Sequence, residues 1–294
     1  MEQLVGKTAF ITGGANGIGF ALARAFVNEG MHVAIVDVDA AALVEAQQIL
    51  AGSNVKVVAL QLDVTDRDQF AAIADEVEAK LGPVHVVCNN AGVYRGGSME
   101  NVTYADWDWV MGVNVGGVIN GLQTWLQKIK SHGQGGHIVN TASMAGVLTS
   151  AGLGVYNASK FAVVGLSEAL RADLEGHDIG VSVLCPGMVR TKILESERNR
   201  PAQFAVSDAQ AVAAAQAHSE IMNEAMNAGI DADEVAAMVV EGIKTNRFYL
   251  FPHAEMKEAA AERMTSLLGA FGEPDPDRLA AQQAHMAALL RSTD

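Results

Sequence analysis

The chain has 294 residues, half of them hydrophobic and 18% charged, with 29 glycines, a balance that suits a globular protein with a substantial core. Its formal net charge of −14 and pI near 4.9 argue against nucleic acid or an anionic membrane surface as the main partner, since both repel an acidic protein. Aromatic residues are too few for a base-stacking platform. No apolar run of about 20 residues is available to span a bilayer, and Gly6 and Lys7 interrupt the stretch where a signal peptide would lie. A cytoplasmic protein is therefore expected. Cys88 and Cys185 lie in apolar runs, "HVVCNN" and "VSVLCPG", and read as small core residues, with neither a disulfide framework nor a metal site.

In chain order, short β-branched runs alternate with longer segments of helical period. "TAFIT" (8–12) is followed by the helical "GIGFALARAFVNEG" (17–30), and "HVAIVD" (32–37) and "VKVVALQLD" (55–63) by "DQFAAIADEVEAKLG" (68–82). Further runs are "VHVVCNN" (84–90), "GHIVNTAS" (136–143) and "IGVSVLCPG" (179–187). Strands alternating with helices predict βαβ units on a parallel sheet. The strands are apolar throughout, as they must be when helices cover both faces. The fold class is α/β: a Rossmann-like, doubly wound parallel sheet in three layers. After Pro186 the pattern changes, and Pro201 to Ile243 contains no Lys or Arg. Residues 202–230 read as a pair of surface helices, with Ile221, Met222 and Met226 on one side of "AVAAAQAHSEIMNEAMNAG". "DADEVAAMVVEGIK" starts a further helix at an Asp N-cap. "RFYLFP" predicts a last strand, and two helices follow, separated by "GEPDP". With no repeat and no low-complexity linker, a single domain over 1–294 is expected. It has a core at about 5–252, a substrate loop or lid at about 188–230, and a helical extension at about 253–294.

Gly13, Gly17 and Gly19 stand between the first strand and the first helix. Such a turn brings backbone N–H groups and a helix N-terminus against a pyrophosphate. Asp37 ends the second strand, 18 residues after Gly19, the distance at which a carboxylate accepts hydrogen bonds from an adenosine ribose. Its charge would repel a 2′-phosphate, and Asn16 offers no compensating cation, so NAD is expected rather than NADP. Farther on, "YNASK" puts Tyr156 and Lys160 four residues apart, on one face if the segment is helical. A lone pair of this kind is usually unrelated surface chemistry. The alternative is a phenol whose pKa the ammonium lowers. Working near pH 8 rather than about 10 requires about 2.7 kcal/mol, and a nearby cation supplies shifts of about 1–3 units.

Taken together, TGxxxGxG at Thr12 to Gly19, "LDV" at 62–64, "NNAG" at 89–92, "VNVGG" with Asn114, "TAS" ending at Ser143, YxxxK at Tyr156 to Lys160, and "PG" at 186–187 with Thr191 beyond resemble the short-chain dehydrogenases/reductases from about Gly6 to Pro252. The resemblance implies a catalytic tetrad of Asn114, Ser143, Tyr156 and Lys160. Tyr156 would be the general acid/base, Lys160 would lower its pKa and bond the nicotinamide ribose, Ser143 would bond the substrate oxygen, and Asn114 would hold a proton-relaying water. It implies an NAD site formed by Gly13, Asn16, Gly17, Ile18 and Gly19; by Asp37, Asp63 and Val64; by Asn90, Ala91 and Gly92; by Tyr156 and Lys160; and by Pro186, Gly187, Val189 and Thr191. No metal is implied. "YADWDWVMGVNVGGVINGL", "IGVSVLCPG" and "FYLFPH" further resemble the bacterial aryl-alcohol dehydrogenases that oxidise the benzylic carbinol of lignin-derived β-aryl ethers.

The substrate side is read from position: Val93, Tyr94, Met144, Ala145, Val147, Leu153, Met188 and Ile193. These are nearly all apolar and favour a hydrophobic small-molecule alcohol or ketone, bulky or aryl. Arg95 and Arg190 flank these loops and read as solvated, with anion binding as the alternative. The helix after Tyr156 is apolar on more than one face, which together with the resemblance implies a homo-oligomer, dimer or tetramer. Residues 273–294 are expected to pack on a neighbouring subunit or on the lid. The function expected is NAD-dependent interconversion of a hydrophobic secondary alcohol and its ketone. A catalytically silent NAD-binding regulator stays open, as does an enzyme of the same family acting on a steroid, a sugar or a 3-oxoacyl group.

Overall fold

The computed structural model describes residues 1–273 and 275–291, and the chain divides into two compact units that meet at Ala254 and Glu255. In the first, seven parallel strands form one sheet in the order β3-β2-β1-β4-β5-β6-β7. The strands are β1 (Thr8–Thr12), β2 (His32–Asp37), β3 (Val57–Gln61), β4 (Val86–Asn89), β5 (Gly136–Thr141), β6 (Ile179–Leu184) and β7 (Tyr249–Leu250). Between them run α1 (Gly17–Asn28), α2 (Ala40–Leu50), α3 (Arg67–Leu81), α4 (Tyr104–Met111), α5 (Gly117–His132), α6 (Gly154–Asp173), α7 (Ala209–Asn227) and α8 (Ala232–Lys244). The doubly wound expectation holds. Strand order reverses between β1 and β4, where Ile11 sits beside Ile35 on one side and Cys88 on the other. In open sheets of this kind ligands bind in the crevice beyond the carboxyl ends of the strands at such a reversal.

The apolar runs became strands because both faces are covered. Phe10, Ile11, Val33, Ile35, Val86 and Val139 have no exposed surface. Helices α1 and α8 cover one face, with Leu22, Phe26, Val235, Val239 and Ile243 in one cluster with the strand residues. Fully burying a side chain of this size contributes about 1.5–3 kcal/mol, so this layer holds the crevice rigid. Local signals set the helix starts. Asp39 and Asp66 accept from the backbone N–H groups of Ala42 and Gln69, and Asp231 opens α8 with a capping box completed by Glu234. Both cysteines are buried and free.

Two segments differ from expectation. Residues 202–230 hold one helix rather than a pair: two short 3₁₀ turns, Ile193–Asn199 and Ala202–Phe204, precede α7, and Pro201 stands between them. Within α7, Met226 is buried and Met222 half-buried, while the side chain of Ile221 lies outside the described residues. The final strand spans only Tyr249 and Leu250, which pair with β6, and Pro252, two residues on, can donate no further ladder bond. The second unit holds α9 (Lys257–Gly269) and α10 (Pro276–Arg291). Pro274 and residues 292–294, part of the segment expected to pack on a neighbour, lie outside the described residues. Among the described residues no helix is long and apolar enough to cross a membrane, and no group of three His, Cys, Asp or Glu could hold a metal ion.

Candidate active site

The turn after β1 is shaped by close approaches that only glycine permits. A Cβ on Gly13 would lie 2.9 Å from the Ala91 Cα, and one on Gly19 only 2.0 Å from the Gly13 carbonyl oxygen. Gly13 and Gly17 both have positive φ, 62° and 52°. Asn16 precedes α1 in extended conformation without a side-chain cap, and no acidic residue occupies the first helical turn. The first N–H groups of α1 are thus left for an anion. Asp37 receives hydrogen bonds from the N–H of Ala15 (3.2 Å) and of Asp39 (3.1 Å), which ties the end of β2 to the turn. Burial pushes its carboxyl above the usual range, opposed by those backbone bonds.

Asn90 binds three strand ends together. Its Nδ2 donates to the carbonyls of Thr12 (3.1 Å) and Gly13 (3.3 Å), and its Oδ1 accepts from the Thr141 hydroxyl (3.3 Å). The Thr12 hydroxyl accepts from the N–H groups of Asn90 (2.9 Å) and Ala91 (3.0 Å). Gly92 carries the loop past the tetrad, since a Cβ there would meet Asn114 Oδ1 and Lys160 Nζ, each at 3.4 Å. Asp63 is held in its own turn, accepting from the Thr65 N–H and hydroxyl. The Val64 carbonyl accepts from Asn120 Nδ2 at 2.8 Å. On the far side, a Cβ at Gly17 would come within 3.0 Å of Thr191.

The four tetrad residues are brought together. Asn114 lies in a π turn, Gly112–Gly116, between α4 and α5, the kind of helical irregularity often found at functional sites. Its Oδ1 accepts from the Val93 N–H (2.8 Å), and its Nδ2 donates to the Val93 carbonyl (3.0 Å) and the Ser159 hydroxyl (3.0 Å). Both side-chain donors are therefore committed. Ser143 Oγ accepts from the Ala145 N–H (3.0 Å) and donates to the Pro186 carbonyl (3.2 Å). Asn157 holds the same loop through the carbonyls of Ala145 and Leu148. Lys160 is buried, with Nζ donating to the Thr141 carbonyl at 3.0 Å and lying 5.6 Å from the centre of the Tyr156 ring.

One electrostatic expectation is corrected. Taken together, the protein's own groups do not lower the Tyr156 phenol: burial pushes it up to about 12, and the neighbouring Ser143 hydroxyl opposes the rise only in part. Burial likewise brings Lys160 down to about 8. Desolvation disfavours whichever form is charged, and it is the largest cause of both shifts. Arg95 is a second correction. It is buried rather than solvated, with Nε 2.7 Å from Asp106 Oδ1. Burial raises the Asp106 pKa, but bonds from Arg95 and Thr103 outweigh it and hold the carboxyl below the usual range. Arg190 is on the surface, paired with Asp231 at 2.8 Å.

Of the positions read as substrate-facing, Tyr94 stands beside the tetrad, its ring centre 5.3 Å from that of Tyr156. Val93 packs with Trp109, Val110 and Val155. Met144 and Ala145 follow Ser143 directly, Leu153 precedes α6 and bridges to Gly97, and the Met188 carbonyl accepts from the Ile230 N–H. The Ile193 carbonyl accepts from the Ser196 hydroxyl. Sequence reasoning missed His253. Its Nδ1 accepts from the Gly187 N–H (3.0 Å) and its Nε2 contacts the Met188 carbonyl (2.9 Å), so it braces the loop that carries Pro186 and Gly187. Ser196 was missed as well. No spacing rule marks either residue, and both are visible only once the loops are closed in space.

A family model described as short chain dehydrogenase matches residues 7–202. Over its whole length the chain is 35% identical to a C alpha-dehydrogenase of Sphingobium sp. (strain NBRC 103272 / SYK-6), covering 96% of that protein. Its fold is similar to that of a short chain dehydrogenase/reductase from Burkholderia phymatum solved in complex with NAD (TM-score 0.89, 36% identity, 94% of this chain and 99% of that one). It is also similar to the apo form of LigO from Sphingobium sp. strain SYK-6 (TM-score 0.81, 34% identity, 98% of each chain). With the seven-stranded parallel sheet and the clustered tetrad, these matches make the chain an oxidoreductase of the short-chain dehydrogenase family.

Proposed function

We propose that the protein is an NAD-dependent dehydrogenase that interconverts a hydrophobic, bulky or aryl, secondary alcohol and its ketone. The observation that carries this reading is the placement of Tyr156 against Ser143 and Lys160 beside an uncapped helix N-terminus at the sheet's switch point. Gly13, Asn16 to Gly19, Asp37, Asp63, Val64, Asn90 to Gly92 and the loop Pro186 to Thr191 would hold the dinucleotide. When bound, that cofactor supplies the hydride acceptor or donor. Tyr156 takes the carbinol proton in oxidation and returns it in reduction. Of the two tyrosines that face each other, it is the less strongly raised.

Ser143 has one hydrogen to give, held by the Pro186 carbonyl in a long bond. Turning it toward a substrate oxygen stabilises charge developing there. With both Asn114 side-chain donors committed, Asn114 would hold a water for Lys160 by accepting from it. The aryl preference draws support from the apolar surroundings of Val93, from the Tyr94 ring beside Tyr156 and from likeness to the C alpha-dehydrogenase. The protein is read as cytoplasmic and, from the apolar faces of α6, as a homo-oligomer.

The direct test is NAD(P)H absorbance with NAD⁺ or NADP⁺ against alcohols graded from small aliphatic through 1-phenylethanol-like to aryl glycerol ethers. Turnover with NAD⁺ that rises toward bulky aryl carbinols is expected, and no turnover with any alcohol would overturn the reading. Two variants probe the cofactor site. Gly19→Ala places a Cβ 2.0 Å from a backbone oxygen and is expected to weaken NADH binding at least tenfold by fluorescence titration. Asp37→Ser removes the carboxylate that repels a 2′-phosphate, and the NAD⁺/NADP⁺ ratio of kcat/KM is expected to fall about tenfold or more. A ratio unchanged within twofold removes Asp37 from the ribose site.

A further inference from the structure

The segment between β6 and α7 is fastened to the core by a buried charge cluster that the proposed chemistry does not use. Arg200 Nη2 lies 2.7 Å from Asp106 Oδ1, the same oxygen that receives Arg95 Nε at 2.7 Å. The guanidinium also binds both oxygens of Glu197 (2.6 and 2.7 Å), donates to the Phe204 carbonyl, and stacks 4.1 Å above the Trp109 ring. Its side chain is 7% exposed and that of Asp106 is fully buried. A solvated ion pair is worth little. A buried bidentate arginine on an aromatic face fixes geometry instead, because its planar fork bonds in only a few orientations. Four residues before Arg200, Ser196 is buried and its hydroxyl accepts from the Tyr94 N–H at 3.0 Å while donating to the Ile193 carbonyl. Tyr94 then faces Tyr156, and Arg95 beside it returns to Asp106. Two adjacent residues of the loop after β4 are thus tied to the cover segment, one through Ser196 and one through the carboxylate shared with Arg200.

We propose that Arg200 is a positioning residue for substrate: it latches the 193–204 segment onto Asp106 and Trp109, and through Ser196 it fixes Tyr94 as the aromatic wall beside Tyr156. This rests on the reading of Tyr156 as the reacting group. The latch acts on how a bulky ligand is held, not on proton transfer, since neither Arg200 nor Asp106 touches the tetrad in any contact described. Asp106 keeps Arg95 and the Thr103 N–H and hydroxyl when Arg200 is removed, so the carboxylate is not left without a partner.

Arg200→Met keeps the aliphatic stem and removes the fork. Its KM for an aryl glycerol ether is expected to rise at least tenfold while kcat falls less than threefold, with NADH affinity within twofold of wild type. Arg200→Lys, which keeps the charge without the bidentate geometry, is expected to recover part of the KM. In hydrogen exchange, amides of residues 93–96 should exchange at least tenfold faster in Arg200→Met while the β5 amides do not change. A KM change under twofold, a fall in kcat at constant KM, or unchanged exchange at 93–96 would each overturn the latch. Should Arg200→Met fail to fold, Glu197→Gln, which weakens the fork and leaves the buried pair, is judged by the same limits. A wild-type protein that turns over no carbinol defeats the proposed function instead, and the exchange arm then decides the latch alone.

Discussion

Replacing Tyr156 with phenylalanine is expected to lower kcat by about 10³-fold while NADH binding stays within about threefold of wild type. The ring's packing against Tyr94 survives the change, so what is removed is the hydroxyl alone. General acid–base catalysis by a positioned side chain is worth about 10²–10⁴-fold. Steady-state turnover and a separate NADH fluorescence titration check the two halves of the claim. Residual turnover above a tenth of wild type would mean that the proton takes another path.

The pH dependence sharpens this. The protein alone holds the Tyr156 phenol at about 12. Bringing it to about 8 requires about four units, or about 5.4 kcal/mol. Lys160 already stands in that site, so the lowering needs positive charge beyond the protein's own, and a unit charge about 5–6 Å away at an effective dielectric of about 20 supplies about 3 kcal/mol. In the proposed reaction, oxidised nicotinamide would bring such a charge. Lys160 itself stands at about 8, so its field fades above that pH and the two groups titrate as a pair. Oxidation with saturating NAD⁺ is therefore expected to rise with an apparent pKa below 9. In Lys160→Met the rise should move upward by about two units. A profile that does not move would remove the lysine from the phenol's electrostatics.

What sequence reasoning could and could not find follows from the range of the forces involved. The strands, α1 and α8 were legible because the apolar runs and the Asp231 capping signal are local properties of the chain. The glycine turn was legible for a related reason: Gly13 and Gly19 sit where any Cβ meets backbone, a constraint written into residue type. The sign of the Tyr156 shift was not legible. It depends on desolvation by residues far apart in sequence, and a rule about i and i+4 neighbours contains no burial term. Arg95 failed for the same reason, since its partners Asp106 and Arg200 come together only when α4 and the 193–204 segment fold back. The π turn at Asn114 leaves no mark in "VMGVNVGG". His253 follows a proline at the end of the last strand and looks like an ordinary loop residue until Gly187 is placed against it.

The second large effect lies at the opposite end of the sheet. His137 has no exposed surface, and its Nε2 is 2.8 Å from the Ser182 hydroxyl, which donates to the Arg247 carbonyl at 2.6 Å. The serine can therefore only accept, so Nε2 carries the ring hydrogen and Nδ1 is bare, without a partner among the described residues. Protonating Nδ1 would leave a buried cation facing Gly180, whose missing Cβ makes room for the ring. Burial, with the positive N-terminus and Arg171 adding to it, brings His137 down to about 3. The unfolded chain, with an ordinary pKa of 6.5, binds the proton first, so stability falls as pH drops from about 6.5 toward about 3. At pH 5 the loss is about 2 kcal/mol, and over the full window about 5 kcal/mol. That is a large share of the roughly 5–15 kcal/mol that keeps a protein folded. Urea unfolding of wild type and His137→Gln at pH 7.5 and pH 5.0 tests it. The variant is expected to be less stable at pH 7.5, yet to lose about 2 kcal/mol less than wild type on acidification. Lowered as His85 is by its own burial, its contribution is common to both proteins and cancels in the difference. Equal losses within about 0.5 kcal/mol would mean that His137 accepts its proton without penalty in the folded state, and the acid sensitivity of the fold would then have to be assigned to the carboxylates.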